Sequence, residues 1–314
     1  MIAVTAGDAN GVGPELLLRA VESGVLSRDY TVYGDRGVLE YAAERLGLST
    51  RLLDQIPLHD CGILSAEDVT PGSPSQSVGA AAAGYVEAAT NDALAGKTRA
   101  IVTLPINKEA TRMSRPNFTG HTELIAEICG NPPVTMMLAS ERLIVTHVST
   151  HVSLAEAIRM VATPRILEVI RLTDAAVRRL RPDARIAVAG LNPHAGEHGA
   201  FGSEDESAVR PAVDRARGEG IDAYGPEPAD TVFYNALHRG RFDAVVCMYH
   251  DQGHIPMKSL DFDGGVNVTL GLPIVRTSVD HGTAYDIAYT GTARTRSFEL
   301  AIEMARKLAR TSAQ

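Results

Sequence analysis

Ile2-Ala-Val-Thr-Ala-Gly-Asp-Ala-Asn-Gly-Val-Gly-Pro-Glu15 joins a short β-branched run to a glycine-rich turn, with a proline at the head of a helical period. A strand, a tight turn and a helix opened by Pro14 form the repeating unit of an α/β fold. The same alternation continues outward. Ile2 to Ala6, Tyr30 to Tyr33, Ala100 to Leu104, Ile144 to Val148, Arg185 to Ala189, Ala244 to Met248 and Ile274 to Ser278 read as strands. Pro14 to Ser23, Val78 to Ala95, Arg165 to Leu180, Glu204 to Arg217 and Ser297 to Leu308 read as helices. A mostly parallel sheet covered on both faces is expected, with sites at the carboxyl ends of its strands. Pro71-Gly-Ser-Pro-Ser75 reads as a loop. The opening turn is not a dinucleotide fingerprint, because Leu16 stands where a third glycine would follow Gly11 and Gly13. It is not a P-loop either, since no Gly-Lys-Ser/Thr follows.

The 314 residues carry 30 Lys and Arg against 38 Asp and Glu, a formal net charge of −8. That balance gives no general attraction to nucleic acid or anionic membranes, so an anionic substrate must meet a locally basic site. Cys61, Cys129 and Cys247 lie far apart, with no C-x-x-C pair, and the first residues lack a secretory pattern. A soluble protein of the reducing cytoplasm is expected.

There is no Trp, but there are ten His, nine of them between His121 and His281. His147 and His151, His194 and His198, and His250 and His254 are spaced four apart. Such a pair grips a metal only on a helix, and Val-Thr-His147-Val-Ser-Thr-His151 is strand-like. The alternative takes one histidine from each cluster: His151 past a strand, His194 after Gly-Leu-Asn-Pro, and His250 after Ala-Val-Val-Cys-Met-Tyr. Loops after neighbouring strands would bring these three imidazoles to one divalent cation with open coordination positions. Asp230 and Asp251 are acidic candidates for orienting a ligand or a histidine, or for capping a helix or turn.

The run from Asp243 to Ala293 is the most specific. It contains Met248-Tyr-His-Asp-Gln-Gly-His-Ile-Pro-Met-Lys258, Gly265-Val-Asn-Val-Thr-Leu-Gly-Leu-Pro273 and Val275-Arg-Thr-Ser-Val-Asp-His-Gly-Thr-Ala284. With Pro105-Ile-Asn-Lys-Glu-Ala110, Gly120-His-Thr-Glu123, Ser149-Thr-His151, Gly190-Leu-Asn-Pro-His-Ala-Gly196 and Pro228-Ala-Asp-Thr231, it resembles the 4-hydroxythreonine-4-phosphate dehydrogenase family over essentially the whole chain. Gly-His254-Ile-Pro-Met-Lys258, where the vitamin B6 enzyme has Gly-Leu-Pro-Val-x-Lys, is closer to the branch acting on 4-phospho-D-threonate and 4-phospho-D-erythronate. Ala9 and Asn10 depart from the usual Gly-Asp-Pro-Ala-Gly in a loop that is a candidate wall of the site.

The resemblance implies a divalent metal (Zn, Mg, Co or Mn) on His151, His194 and His250. It also implies contacts from His121, Thr122, Lys258, Asn267 and Arg276 to the phosphorylated substrate. Backbone N–H groups after Gly120 and the charges of Lys258 and Arg276 suit a phosphate. Asp280-His-Gly-Thr-Ala-Tyr-Asp286-Ile-Ala resembles the His-Gly-Ser-Ala-Pro-Asp-Ile-Ala loop of isocitrate and isopropylmalate dehydrogenases, so Asp280, His281, Gly282 and Asp286 are expected to bind NAD. Gly282 would permit close backbone approach. The implied architecture is two α/β/α domains around a cleft. Residues 1–116 with 270–314 would carry much of the cofactor site, and 117–269 the metal ligands and the interface of a homodimer that completes the site.

The implied chemistry is oxidation of a 3-hydroxy acid, with its C3 hydroxyl and carboxylate on the metal, followed by loss of CO2 to give dihydroxyacetone phosphate. Lys258 would carry a proton or hold phosphate, with Asp230 a second acid–base candidate. The rivals are the vitamin enzyme itself, a cis-dihydrodiol dicarboxylate dehydrogenase without a phosphate, and a non-catalytic binder of metal and sugar phosphate.

Overall fold

The computed structural model describes residues 1–26, 29–262 and 264–310. Two compact units divide the chain, one made of residues 1–132 and the segment from 272 onward, the other of 133–271. The first unit opens with β1 (Ile2–Thr5), α1 (Gly13–Glu22), β2 (Tyr30–Gly34), α2 (Arg36–Arg45) and β3 (Leu58–Asp60). It continues with α3 (Gln76–Leu94), β4 (Ala100–Thr103), α4 (Lys108–Arg112) and α5 (His121–Ile128). The second unit holds β5 (Thr135–Ala139), β6 (Ile144–His147), α6 (Leu154–Met160), α7 (Thr163–Val177), β7 (Ile186–Ala189) and α8 (Arg210–Gly218). It is completed by β8 (Ala223–Glu227), α9 (Ala229–Leu237), β9 (Ala244–Cys247), α10 (His250–Leu260) and β10 (Val266–Leu270). The chain then returns to the first unit as β11 (Val275–Val279) and α11 (Arg296–Arg310).

The first unit's strands run in the order β3-β2-β1-β4-β11, all parallel. The central strands β1 and β4 are wholly buried, as strands covered on both faces must be, whereas the edge strand β3 is largely exposed. Helix α1 buries Leu16, Leu17, Leu18 and Val21, each such side chain contributing about 1.5–3 kcal/mol on leaving water. Helix α3 starts at Ser75, whose hydroxyl accepts a hydrogen bond from the Val78 N–H, satisfying one of the free donors of the first turn.

In the second unit the order is β10-β5-β6-β9-β7-β8, with β10, β5 and β6 antiparallel and β6, β9, β7 and β8 parallel. One core cluster joins Ile166, Ile170, Val188, Val209, Val213 and Val246; another joins Leu138, Val145, Val232, Val245 and Met257.

All seven strands expected from the sequence form, with ends displaced by no more than a residue. Two features differ. The first boundary falls after 132 rather than 116, because α5 sets Leu124 and Ile125 against Ala83 and Val86 of α3. The helix expected over 204–217 opens as a wide turn, Asp205–Val209, before α8. The Asp205 carboxylate is drawn out of the helical path by the loop beginning at Gly190.

Candidate functional site

The first unit concentrates positive charge where β4, β11 and the start of α5 meet. Arg276 is 3% exposed, and its Nη2 donates to the Thr103 hydroxyl at 2.9 Å. Burial holds the guanidinium down at about 10, with the Glu123 carboxylate working against that shift. His121 opens α5, and its buried Nε2 has no hydrogen-bond partner among the described residues. Burial pushes this imidazole well below its ordinary range, and the Arg276 and Lys108 cations push in the same direction. At neutral pH the ring is therefore uncharged beside a buried cation, with one nitrogen available to a ligand. Thr122 is half-buried in the same helical turn. Arg276 and Lys108 supply the positive charge that the acidic whole requires, with His121 beside them as a neutral imidazole.

The segment after β11 carries the four residues expected at the cofactor. The Asp280 N–H donates to the Ser297 hydroxyl at 3.2 Å, and Nδ1 of His281 lies 3.0 Å from the Gly282 carbonyl. His281, Gly282 and Asp286 are exposed. A Cβ at Gly282 would meet nothing within 4 Å, so the backbone there is open on that side. At Gly11 a Cβ would lie 2.8 Å from the Thr283 carbonyl oxygen. An open backbone flanked by an exposed imidazole and two carboxylates fits the polar groups of a nucleotide ribose. Asn10 is fully buried and clasps the 70–73 turn, its amide accepting from Thr70 N–H and donating to the Ser73 carbonyl, both at 2.7 Å.

The second unit gathers histidines along β6 and α10. His250 is the first residue of α10, so His254 lies one turn along the same face; their rings stack at 3.6 Å, inclined by 11°. His147, fully buried at the end of β6, places Nε2 3.2 Å from Nδ1 of His254. Burial, reinforced by the neighbouring imidazoles, takes His147 down to about 3. The His151 ring is 5.6 Å from that of His250. Asp251, expected to orient a ligand or a histidine, places Oδ1 2.7 Å from Nδ1 of His250. A cavity of about 300 Å³ is lined by His151, Val152, Leu154, Tyr249 and His250. Gly253 brings α10 close to the strands, since a Cβ there would sit 2.6 Å from His147 Nε2 and 2.9 Å from Cys247 Sγ.

The third expected ligand stands apart. His194 begins a left-handed turn in which His194, Ala195, Glu197 and His198 have φ of 53°, 53°, 41° and 53°, a conformation that costs energy for non-glycine residues. Buried Asp205 anchors the preceding loop, accepting from Leu191 N–H at 2.8 Å, Asn192 N–H at 3.0 Å and the Asn192 amide at 2.9 Å. The His194 ring faces Phe201 at 6.1 Å. Among the described residues no group of three His, Cys, Asp or Glu side chains is placed to hold a metal ion. Within one chain His151 and His250 lie side by side, and His194 is not grouped with them among the described residues.

The sequence matches the family described as "Pyridoxal phosphate biosynthetic protein PdxA" over residues 27–305. The chain belongs to this family. A 4-hydroxythreonine-4-phosphate dehydrogenase of Desulforapulum autotrophicum is 44% identical, over 97% of this chain and 94% of that protein. A D-threonate 4-phosphate dehydrogenase of Salmonella typhimurium is 41% identical over 98% of each. The crystal structure of a Klebsiella pneumoniae 4-hydroxythreonine-4-phosphate dehydrogenase superposes with a TM-score of 0.88 at 41% identity, covering 98% of this chain and 99% of that one. PdxA relatives with both names thus match at similar identity, and the chain is placed among oxidoreductases.

Of the remaining residues singled out for this PdxA-family chain, Lys258 is half-buried on α10, with Nζ 5.1 Å above the Phe262 ring, and Asn267 is half-buried in β10. Asp230 is exposed in the first turn of α9, where a carboxylate favours the helix end. Thr103, Lys108, His147 and Asp205 were not singled out as site residues. Lys108 stands inside Pro-Ile-Asn-Lys-Glu, one of the quoted motifs, and His147 is four residues before His151. Thr103 and Asp205 have no local signal, since their roles depend on strand pairing and a distant loop. Among the described residues no helix is long and apolar enough to cross a membrane.

Proposed function

We propose that this protein is an NAD-dependent dehydrogenase that oxidises the C3 hydroxyl of 4-phospho-D-threonate or 4-phospho-D-erythronate and releases the carboxylate as CO2, leaving dihydroxyacetone phosphate. The observation that carries this reading is the buried Arg276 guanidinium beside uncharged His121 and Lys108. A phosphate is the anion that repays a buried, hydrogen-bonding cation. Thr122 and the N–H groups of the first turn of α5 add donors to the same group, and Asn267 and Lys258 bind the remainder of the acid.

When bound at Asp280, His281, Gly282 and Asp286, NAD supplies the hydride acceptor. The chain's own residues hold the substrate by its phosphate and orient C3. After the carboxylate departs, Lys258 Nζ delivers a proton to C2. Asp230, exposed at a helix start, receives no role. No step is assigned to a metal, because one chain does not assemble the three imidazoles. A divalent cation belongs to this reading only in a homodimer that completes the set around His151 and His250. The free cysteines, Cys61, Cys129 and Cys247, accord with work in the cytoplasm.

A second reading, oxidation of 4-phosphohydroxy-L-threonine, is favoured by the 44% identity to a relative of that name. His254, buried against His250, favours the sugar acids. NADH formation on a panel of the three substrates, with metal controlled, separates them. Turnover of only the amino acid would overturn the proposed substrate. Titration with NAD in the presence of metal and substrate tests the non-catalytic alternative, which predicts no binding. Metal content per dimer that is unchanged in His194→Ala would remove His194 from the ligand set.

A further inference from the structure

The 280–289 loop is held by the glycine-rich N-terminal turn. Ala284 and Tyr289 occupy left-handed backbone conformations, with φ of 44° and 60°, so the loop carries strain that outside contacts must offset. Three ties come from one short segment. Val12 N–H donates to the Thr283 carbonyl at 3.0 Å, and Gly11 packs where a side chain would strike Thr283. The Tyr289 hydroxyl donates to the Ala9 carbonyl. The Tyr285 hydroxyl donates to Asp8 Oδ2 at 2.8 Å.

Asp8 is fully buried and fixed on its other side. Its Oδ1 accepts from Asn10 N–H at 2.9 Å, and its own N–H donates to the Pro105 carbonyl at 2.8 Å. The 70–73 turn clasped by Asn10 also touches the loop, since a Cβ at Gly72 would lie 3.0 Å from the Tyr285 carbonyl oxygen. Tyr285 occupies the position that is proline in the His-Gly-Ser-Ala-Pro-Asp pattern this loop resembles. A proline ring fixes its own backbone, whereas a tyrosine must be fixed from outside.

We propose that Asp8 and Tyr285 form a latch by which the N-terminal turn sets the conformation of the 280–289 loop, making Asp8 a positioning residue for the dinucleotide. The proposal rests on assigning that loop to NAD, as above. Asp8 acts through Tyr285 and the loop backbone, which fixes where His281, Gly282 and Asp286 stand.

The test removes a single oxygen atom. In Tyr285→Phe, amide hydrogen exchange across 281–289 of the unliganded protein should rise by about tenfold, and KM for NAD by about three- to tenfold, the scale of one lost hydrogen bond to a carboxylate. The KM for the phosphorylated acid and kcat should stay within about twofold. Asp8→Asn, which keeps an acceptor oxygen, should lie between the unaltered protein and Asp8→Ala. Unchanged exchange in Tyr285→Phe overturns the latch. Raised exchange with unchanged KM for NAD overturns the positioning role. Failure of the unaltered protein to bind NAD overturns the loop's assignment and the role of Asp8 in it, while the exchange measurement separately decides the latch.

Discussion

The two units hold their functional groups by different means. In the first, Arg276, His121 and the 280–289 loop are held by strand backbone and by single hydrogen bonds to buried partners such as Thr103 and Asp8. In the second, imidazole rings support one another, with His254 lying between His147 and His250, while the loop leading to His194 is anchored by one carboxylate, Asp205. The first arrangement fixes a buried positive charge beside a neutral imidazole with one unpartnered nitrogen. The second stacks imidazole rings whose alignment depends on helix packing. A charge fixed by strand backbone tolerates little movement, whereas stacked rings shift together with the helix that carries them.

The largest effect should come from the anchor in the second unit. Asp205→Ala would strand three donors and release a left-handed turn, and a loss of about 3–4 kcal/mol in urea unfolding is expected. A change under 1 kcal/mol would mean that the turn holds itself. In the first unit, Arg276→Met should lower kcat/KM by about 100-fold, the cost of one charge-assisted contact to phosphate. Near-normal kcat/KM would move the phosphate elsewhere. For the stacked rings, His254→Leu should shift the preference between 4-phospho-D-threonate and 4-phosphohydroxy-L-threonine by about tenfold; an unchanged ratio would remove His254 from substrate choice.

The smallest effect is a pH slope. His121 is depressed in the fold, whereas the unfolded chain takes up its proton near about pH 6.5. Its contribution to stability is therefore lost as pH falls below that value, by up to about 1.4 kcal/mol per pH unit until the folded group also protonates. Urea midpoints of His121→Gln between pH 7 and 5.5 should fall less steeply than those of the unaltered protein.

Much of this was legible in the sequence. The α/β class followed from β-branched runs alternating with helical periods, and the strands formed where those runs stood. Beside His250 in sequence, Asp251 reads either as an orienting group or as a helix or turn cap, and its carboxylate stands at Nδ1 of His250. Helix α10 was harder to see, since Gly253 and Pro256 interrupt its period, yet Gly253 is what lets it pack. Strand β5, Thr-Met-Met-Leu-Ala, lacks β-branched residues after Thr135 and takes its form from antiparallel pairing with β6 and β10. Asn10 read as a departure in a possible site wall, and the structure shows it holding the 70–73 turn through partners 60 and 63 positions away in sequence. His194 is a similar case: it follows a strand as its sequence suggests, but the loop leading to its turn is braced by Asp205, which no local pattern around His194 reveals.

Gly253 also sets a tolerance. Any residue larger than glycine would act as a wedge between α10 and the ends of β6 and β9. Lifting the helix by the width of a methyl group would carry His250, His254 and Lys258 outward together, because all three ride on that helix. The stacked rings and the Lys258 ammonium thus share one mechanical gauge, whose zero is a hydrogen atom in place of a side chain.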